Sequence, residues 1–410
     1  MLHLGINMKI FYKSIILFWI ILLFLSCNSI DDLSKEEDEE LIYKYEKHKN
    51  NRIASLIMDD NQYNEWVKNY AFKNDEEKLK ELIKDIYKVF PDEYDIILLI
   101  LNEDSLLSSF VNKNGQSVQA SNFGVSNKIK GIGSKRPPGW SERFDYGSDY
   151  GSNKIHMLKN IIHQNTNANF NDGPILHELM HNWSNFCIET EGLYETGSNL
   201  TSFPVGKYIY SYSYPETSGE VKGAAHWGFT GGNIRGYLGG FEQSTLEELG
   251  NNTYLVDGFS MHGNSYQHFS PLGNRSYSPY NELELYLAGM IPIDSVKDFD
   301  VFKNITSLKS KGLRFEFVSS SRTTFTSESL LDSLGKRIPD FKTSQKHFKM
   351  LEIIITNKPL TEDEWEVFDK DAEWFAYKGS DENLVGNDFH KFMYNFYEAT
   401  KGKGSITIGY

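Results

Sequence analysis

The sequence predicts an α+β fold organised around one buried helix that carries chemistry. Three observations support this. Residues 171–192, NDGPILHELMHNWSNFCIETEG, place His177-Glu178-Leu179-Met180-His181 inside an apolar run. One helix-patterned stretch and three strand-like stretches precede it. A loop-rich region and then further strands and capped helices follow it.

The chain opens with an export signal over residues 1–26. Lys9 and Lys13 are its basic part, and 15–24 is an apolar run too short for a stable membrane span. Met8 offers an alternative start of more ordinary signal length. Leu25-Ser26-Cys27 resembles a bacterial lipobox, which implies cleavage before Cys27 and lipidation of that residue. An acidic tether over 27–50 follows, with Asp31, Asp32, Glu36, Glu37, Asp38, Glu39 and Glu40. The expectation is an exported protein lipid-anchored to a bacterial membrane. No Asp directly follows Cys27, which favours the outer membrane. The acidic residues soon after it are compatible with cell-surface display. Cys187 is the other cysteine, so the mature chain has no pair for an internal disulfide. It reads as a small core residue rather than a nucleophile.

A net charge of −14 argues against nucleic acid as a partner. The aromatic content of 14% fits either a peptide- or glycan-binding cleft or an aromatic-rich core.

Residues 51–90 read as an N-terminal helical segment. Within it, Leu79, Leu82, Ile83, Ile86 and Phe90 keep helical spacing until Pro91. Residues 94–101, YDIILLIL, form a strand with little alternation, as expected when both faces are covered. Residues 123–133 and 154–163 are further strands. His156 and His163 on the last of these lie off the motif and read as strand residues rather than ligands.

On a helix, residues four apart sit one turn above each other. The imidazoles of His177 and His181 therefore meet at a point where one divalent ion fits. Two His ligands, a third protein ligand and a water form the usual catalytic zinc arrangement, in which the ion acidifies the water. Glu178, beside the first His, is the candidate general base that takes the proton and passes it to a leaving amine. Asp172-Gly173-Pro174 supplies a helix start. Ile175, Leu176, Leu179, Met180, Trp183, Phe186, Cys187 and Ile188 are apolar on nearly every face, so the helix is expected to be buried.

The third ligand must come from farther along, because Ser184 and Cys187 stand where a compact metzincin pattern needs Gly and His. The region from 192 to about residue 280 reads as loop-rich, which marks functional segments. His226, in Gly223-Ala224-Ala225-His226-Trp227-Gly228, is the favoured third ligand, since its Gly-rich flanks let the chain fold back. Glu284, in the short apolar helix over 280–289, is the alternative. His262 and His268 are weaker candidates. Tyr286 is a candidate for stabilising an oxyanion.

These motifs resemble the zincin superfamily of metallopeptidases. More closely, they resemble a set of secreted bacterial proteins in which a helix ends before a Tyr-Asp strand. His-Glu-x-x-His, His-Trp and Tyr-Leu-Met-Gly-Leu then follow. Here these stand as Phe90-Pro91-Asp92-Glu93-Tyr94-Asp95, His177 to His181, His226-Trp227 and Tyr286-Leu287-Ala288-Gly289-Met290. Ala288 and Met290 depart from that pattern. The ending 396–406, FYEATKGKGSI, is similar too, and the likeness runs from near residue 80 to the C-terminus.

The resemblance implies a zincin-like catalytic part over 91–300, with a mixed sheet over the His helix. An edge strand of that sheet would pair with extended substrate. A Glu from a downstream helix is the third ligand in the thermolysin-like group, which is what keeps Glu284 open. The C-terminal α+β part, 301–410, contains strands over 314–319 and 347–356. A capping box at Thr361 opens a helix, and an aromatic helix spans 387–400. That part is expected to complete the lower half or to form a small add-on.

The expected function is a Zn2+-dependent peptidase acting on extracellular protein or glycoprotein. The rival expectation is a surface binding or adhesion lipoprotein on an inactive scaffold of the same shape.

Overall fold

A computed structural model describes residues 40–69, 72, 75–103, 120–124, 129–132, 154–163, 166–167, 175–183, 236–260, 279–311, 314–379 and 394–410. The protein is α+β with two mixed or antiparallel sheets, and residues Tyr43–Tyr410 form one compact unit. Among the described residues no helix is long and apolar enough to cross a membrane. The expected export signal and Cys27 lie outside the described residues.

A hairpin of β1 (Lys44–Lys47) and β2 (Ile53–Ile57) comes first. It is followed by α1 (Asp60–Lys68) and α2 (Glu76–Val89). The stretch expected to be wholly helical therefore begins with a strand. Next come β3 (Ile96–Glu103), β4 (Ala120–Gly124), β5 (Lys154–His163) and the short β6 (Thr166–Asn167). The site helix α3 is Ile175–Met180. Then come β7 (Gly240–Gly250), β8 (Thr253–Ser260), α4 (Glu282–Leu287), β9 (Phe299–Lys311), β10 (Arg314–Phe325) and α5 (Ser327–Leu334). The chain closes with β11 (His347–Thr356), α6 (Glu362–Ala376), α7 (Phe396–Ala399) and β12 (Ser405–Ile408).

The larger sheet runs β1-β2-β11-β3-β5-β4, with β12 beside β11 and β6 beside β5. The pairs β2–β11, β11–β3 and β3–β5 are parallel; β4 closes one end antiparallel to β5. The C-terminal part is thus no add-on: β11 is a central strand, held between β2 and β12 on one side and β3 on the other. The smaller sheet, β7-β8-β10-β9, is antiparallel throughout: the hairpins β7–β8 and β9–β10 join through β8 and β10.

Three other expectations change. The strand expected over 123–133 lies earlier, at Ala120–Gly124, and 129–132 is not strand. The loop-rich region contains a hairpin, β7–β8. It turns at Asn251 and Asn252, both at positive φ (50° and 58°), the primed-turn geometry that suits strand twist. Of the helix expected over 387–400, the described part is helical only at Phe396–Ala399. Asn395 is its N-cap, with a capping box to Glu398.

Both faces of the larger sheet are covered, which explains the near-continuous apolar run of β3. Ile97, Leu99 and Leu101, with Leu351, Ile353 and Ile355 of β11, meet Leu79, Leu82, Ile83 and Ile86 of α2. On the opposite face Ile96, Leu98, Ile100, Met350 and Ile354 meet Leu176, Leu179 and Met180 of α3 and Phe368 and Ala372 of α6.

Glu352 interrupts that second face. It is 0% exposed, and among the described residues neither of its carboxylate oxygens has a hydrogen-bond partner. Burial, reinforced by Asp371 and Asp369, raises its pKa well above the usual 4.5. A folded-state pKa raised in this way makes the folded chain hold a proton that the unfolded chain releases. Stability from this group is complete below about pH 4.5 and declines as pH rises above it. Glu352→Met is therefore expected to raise stability at pH 8 by about 1–3 kcal/mol and to flatten its dependence on pH. Urea unfolding of both proteins at pH 5 and pH 8 checks this. Equal wild-type and variant slopes against pH would refute it.

Candidate metal centre

The local sequence fixes the first part of the site. Nine consecutive residues, 175–183, are buried except for half-buried His181. The helix closes with tight backbone bonds, Asn182 N–H to Leu179 O and Trp183 N–H to Met180 O. Trp183 anchors the end against Phe348 of β11 and Phe396 of α7, with ring centroids 5.3 and 6.4 Å away. Of the apolar residues that made the stretch read as buried, Ile175, Leu176, Leu179, Met180 and Trp183 pack into the core against the sheet.

His177 and His181 share one face of α3, as the four-residue spacing demands. Their Nε2 atoms are 3.0 Å apart and their rings nearly perpendicular, at 88°. Ligand atoms of His177, Glu178 and His181 all lie within 4.8 Å of one another, and this is the one such group of three among the described residues. Two imidazole nitrogens on a tetrahedral zinc, each at about 2.0–2.1 Å, stand about 3.3 Å apart. The donor pair fits such an ion with a shift of a few tenths of an ångström.

His177 is held by a second contact. Its Nδ1 lies 2.6 Å from the carbonyl oxygen of Tyr237. A carbonyl only accepts, so Nδ1 carries the proton and Nε2 presents its lone pair to the site. Burial lowers the His177 pKa to about 4, against the opposing pull of the Tyr237 carbonyl. The ring is therefore neutral at physiological pH, the form that ligates metal.

Tyr237 belongs to a tight turn, with Gly236 N–H bonded to Gly239 O at 3.0 Å. That turn rests on α4. Glu284 Oε1 accepts from Leu238 N–H at 3.1 Å, and Oε2 accepts from Asn281 N–H at 3.1 Å. Asn281 Oδ1 in return accepts from Glu284 N–H at 2.8 Å, completing a capping box. A Cβ at Gly236 would fall 2.3 Å from Asn281 Nδ2 and 2.5 Å from Glu284 Oε1, so this close approach requires glycine. Tyr280, its ring tilted 58° against that of Tyr237 with centroids 4.9 Å apart, donates its hydroxyl to Leu176 O at 2.7 Å. It ties α4 to the first turn of α3.

Glu284, one of the two expected third ligands, is therefore not brought into the histidine group. Its carboxylate is 0% exposed and is engaged by backbone N–H groups. Burial pushes it up to about 7 even so. Tyr286, the candidate for stabilising an oxyanion, is buried, and the Arg337 guanidinium bonds the next residue's carbonyl, Leu287 O, at 2.9 Å. His226, the favoured third ligand, lies outside the described residues, as do Cys187, His262 and His268. The expected strand histidines His156 and His163 lie on β5.

Sequence reasoning missed Tyr237 and Tyr280, for which no local signal exists. The role of Glu284 did have one: Asn281-x-x-Glu284 before an apolar run is a capping-box pattern.

The site helix lies against β4 and β5, and β4 ends the described sheet. Compared with protein-family models, with curated proteins and with solved structures, the chain matches none.

Proposed function

We propose that this chain is a zinc-dependent metallopeptidase of the zincin type, exported and lipid-anchored through Cys27, that cleaves extracellular protein or glycoprotein. The observation that carries the reading is the convergence of His177, Glu178 and His181 on one point beside the end strand of a sheet. His177 and His181 would hold the ion through Nε2, with His226 as the proposed third donor. When bound, the ion supplies Lewis acidity and an acidified water.

The rest is the work of the protein's own side chains. Tyr237 O keeps the proton of His177 on Nδ1. Glu178, 8% exposed, accepts a proton at its carboxylate and returns it to the leaving amine. Among the described residues β4 is the end strand of the sheet, where an extended peptide would pair with backbone groups. Shallow burial of Glu178 beneath such a peptide would exclude bulk water from the proton transfer.

The test is metal analysis of the purified chain, paired with a peptidase assay before and after chelation. About one zinc per chain is expected, with cleavage lost on chelation and restored by Zn2+. Zinc bound without cleavage of a broad peptide library would favour the binding or adhesion alternative. Failure to bind zinc would end both the metal assignment and the peptidase reading.

A further inference from the structure

We infer that Glu284 is a positioning residue for the metal centre, acting on His177 through the 236–239 turn. This rests on the reading of His177 as a ligand, and it extends that reading to a residue that touches neither ion nor substrate.

The connection is continuous. The Glu284 carboxylate is fixed at one oxygen by the N–H of its own helix cap, Asn281, and at the other by Leu238 N–H. Leu238 follows Tyr237 directly, so that second bond sets the height of the Tyr237 peptide. The Tyr237 carbonyl then takes the Nδ1 proton of His177 at 2.6 Å. Every member is buried: Glu284 and Leu238 at 0%, Tyr237 at 1%, Asn281 at 2% and His177 at 8% exposure. Water is therefore poorly placed to substitute for any of these bonds. The glycine at 236 has the same logic, because a methyl group there would displace the Glu284 carboxylate. A polar partner on the outer nitrogen of a ligating histidine fixes both its tautomer and its orientation. Here that partner is a main-chain carbonyl, and its placement is delegated to a carboxylate on a different helix.

The arrangement also accounts for a costly feature. A carboxylate at zero exposure is normally unfavourable without pairing. Simple helix capping does not demand it, since Glu364 makes an equivalent capping box with Thr361 at an exposed helix start. The bond to Leu238 is what distinguishes Glu284.

The experiment compares zinc affinity, by chelator competition, in the full chain and in Glu284→Gln, Gly236→Ala and Thr361→Ala. The amide of Glu284→Gln has one acceptor oxygen in place of two, so it serves only one of Leu238 and Asn281. Gly236→Ala attacks the same contact from the opposite side. Both are expected to weaken zinc binding by about 10- to 100-fold. Thr361→Ala removes a comparable cap on a different helix, a cap with no bond to the 236–239 turn among the described residues, and is expected to leave affinity unchanged, which separates positioning from general stability. A second readout is free of metal: the nitrogen-detected NMR signal of His177 Nδ1–H should move or broaden in the first two variants and not in the third. Unchanged affinity and an unchanged His177 signal in both variants would overturn the proposal, as would an equal loss in Thr361→Ala. If the wild-type chain binds no zinc, the peptidase reading fails, and the His177 signal alone decides whether Glu284 positions that ring.

Discussion

Replacing Glu178 by Gln is expected to lower the rate of peptide cleavage by about 10²- to 10⁴-fold while leaving zinc in place. The amide matches the carboxylate in size, so the packing of this 8%-exposed side chain is preserved. What it loses is the ability to take up a proton near neutral pH. The Nε2 atoms of His177 and His181, 3.0 Å apart, are untouched by the change. The measurement is kcat on a peptide library together with zinc content of the same preparation. Cleavage at the wild-type rate would sink the assignment of Glu178 as base. Loss of zinc along with activity would instead make the carboxylate a ligand.

His177→Ala is expected to have the second large effect, more than about 100-fold on zinc affinity, because it removes a direct donor rather than an outer partner. It also has a metal-free consequence. The Tyr237 carbonyl loses its His177 donor inside the core, which costs about 1–3 kcal/mol of stability. The pH dependence has a definite sign. With its pKa lowered to about 4, the folded ring stays neutral while the unfolded ring, near 6.5, binds a proton. Wild-type stability from this group is therefore full above about pH 6.5 and declines as pH falls toward 4. The variant should lack that decline. His181→Ala, at a half-buried position, should lose zinc affinity to a similar degree with a smaller loss of metal-free stability. Chelator competition and urea unfolding at pH 4.5 and 7 measure both quantities. Wild-type zinc stoichiometry in His177→Ala would remove this residue from the ligand set.

The two centres of interest differ in how far they can be read locally. The helix of His177 and His181 is visible in a short window, because i, i+4 spacing alone puts both rings on one face. Strands β5 and β11 coincide with the stretches 154–163 and 347–356 read from the chain, since runs rich in Ile, Leu and Met punctuated by turns are strand-like in themselves. The capping box at Thr361 is likewise a local pattern that the structure keeps. By contrast, β1 and β2 are only four and five residues long; β2 is held as a strand by parallel pairing with β11, and the polar β1 by pairing with β2. The β7–β8 hairpin has only weak alternation in β7, and its two-asparagine turn is a quiet signal within a polar stretch.

What the chain determines by itself is the chemistry available: two imidazoles and a carboxylate on a helix apolar enough to be buried, and the strands on either side of it. Only the tertiary structure decides how those groups are held. It inserts β11, from the far end of the chain, between β2 and β3, through parallel pairing that no local pattern encodes. It also turns Glu284 away from the histidines and onto the backbone of Leu238 and Asn281. The physical reason is that a side chain's donor or acceptor capacity is written in its type. Its partner is set by which backbone groups folding leaves unpaired and dry beside it.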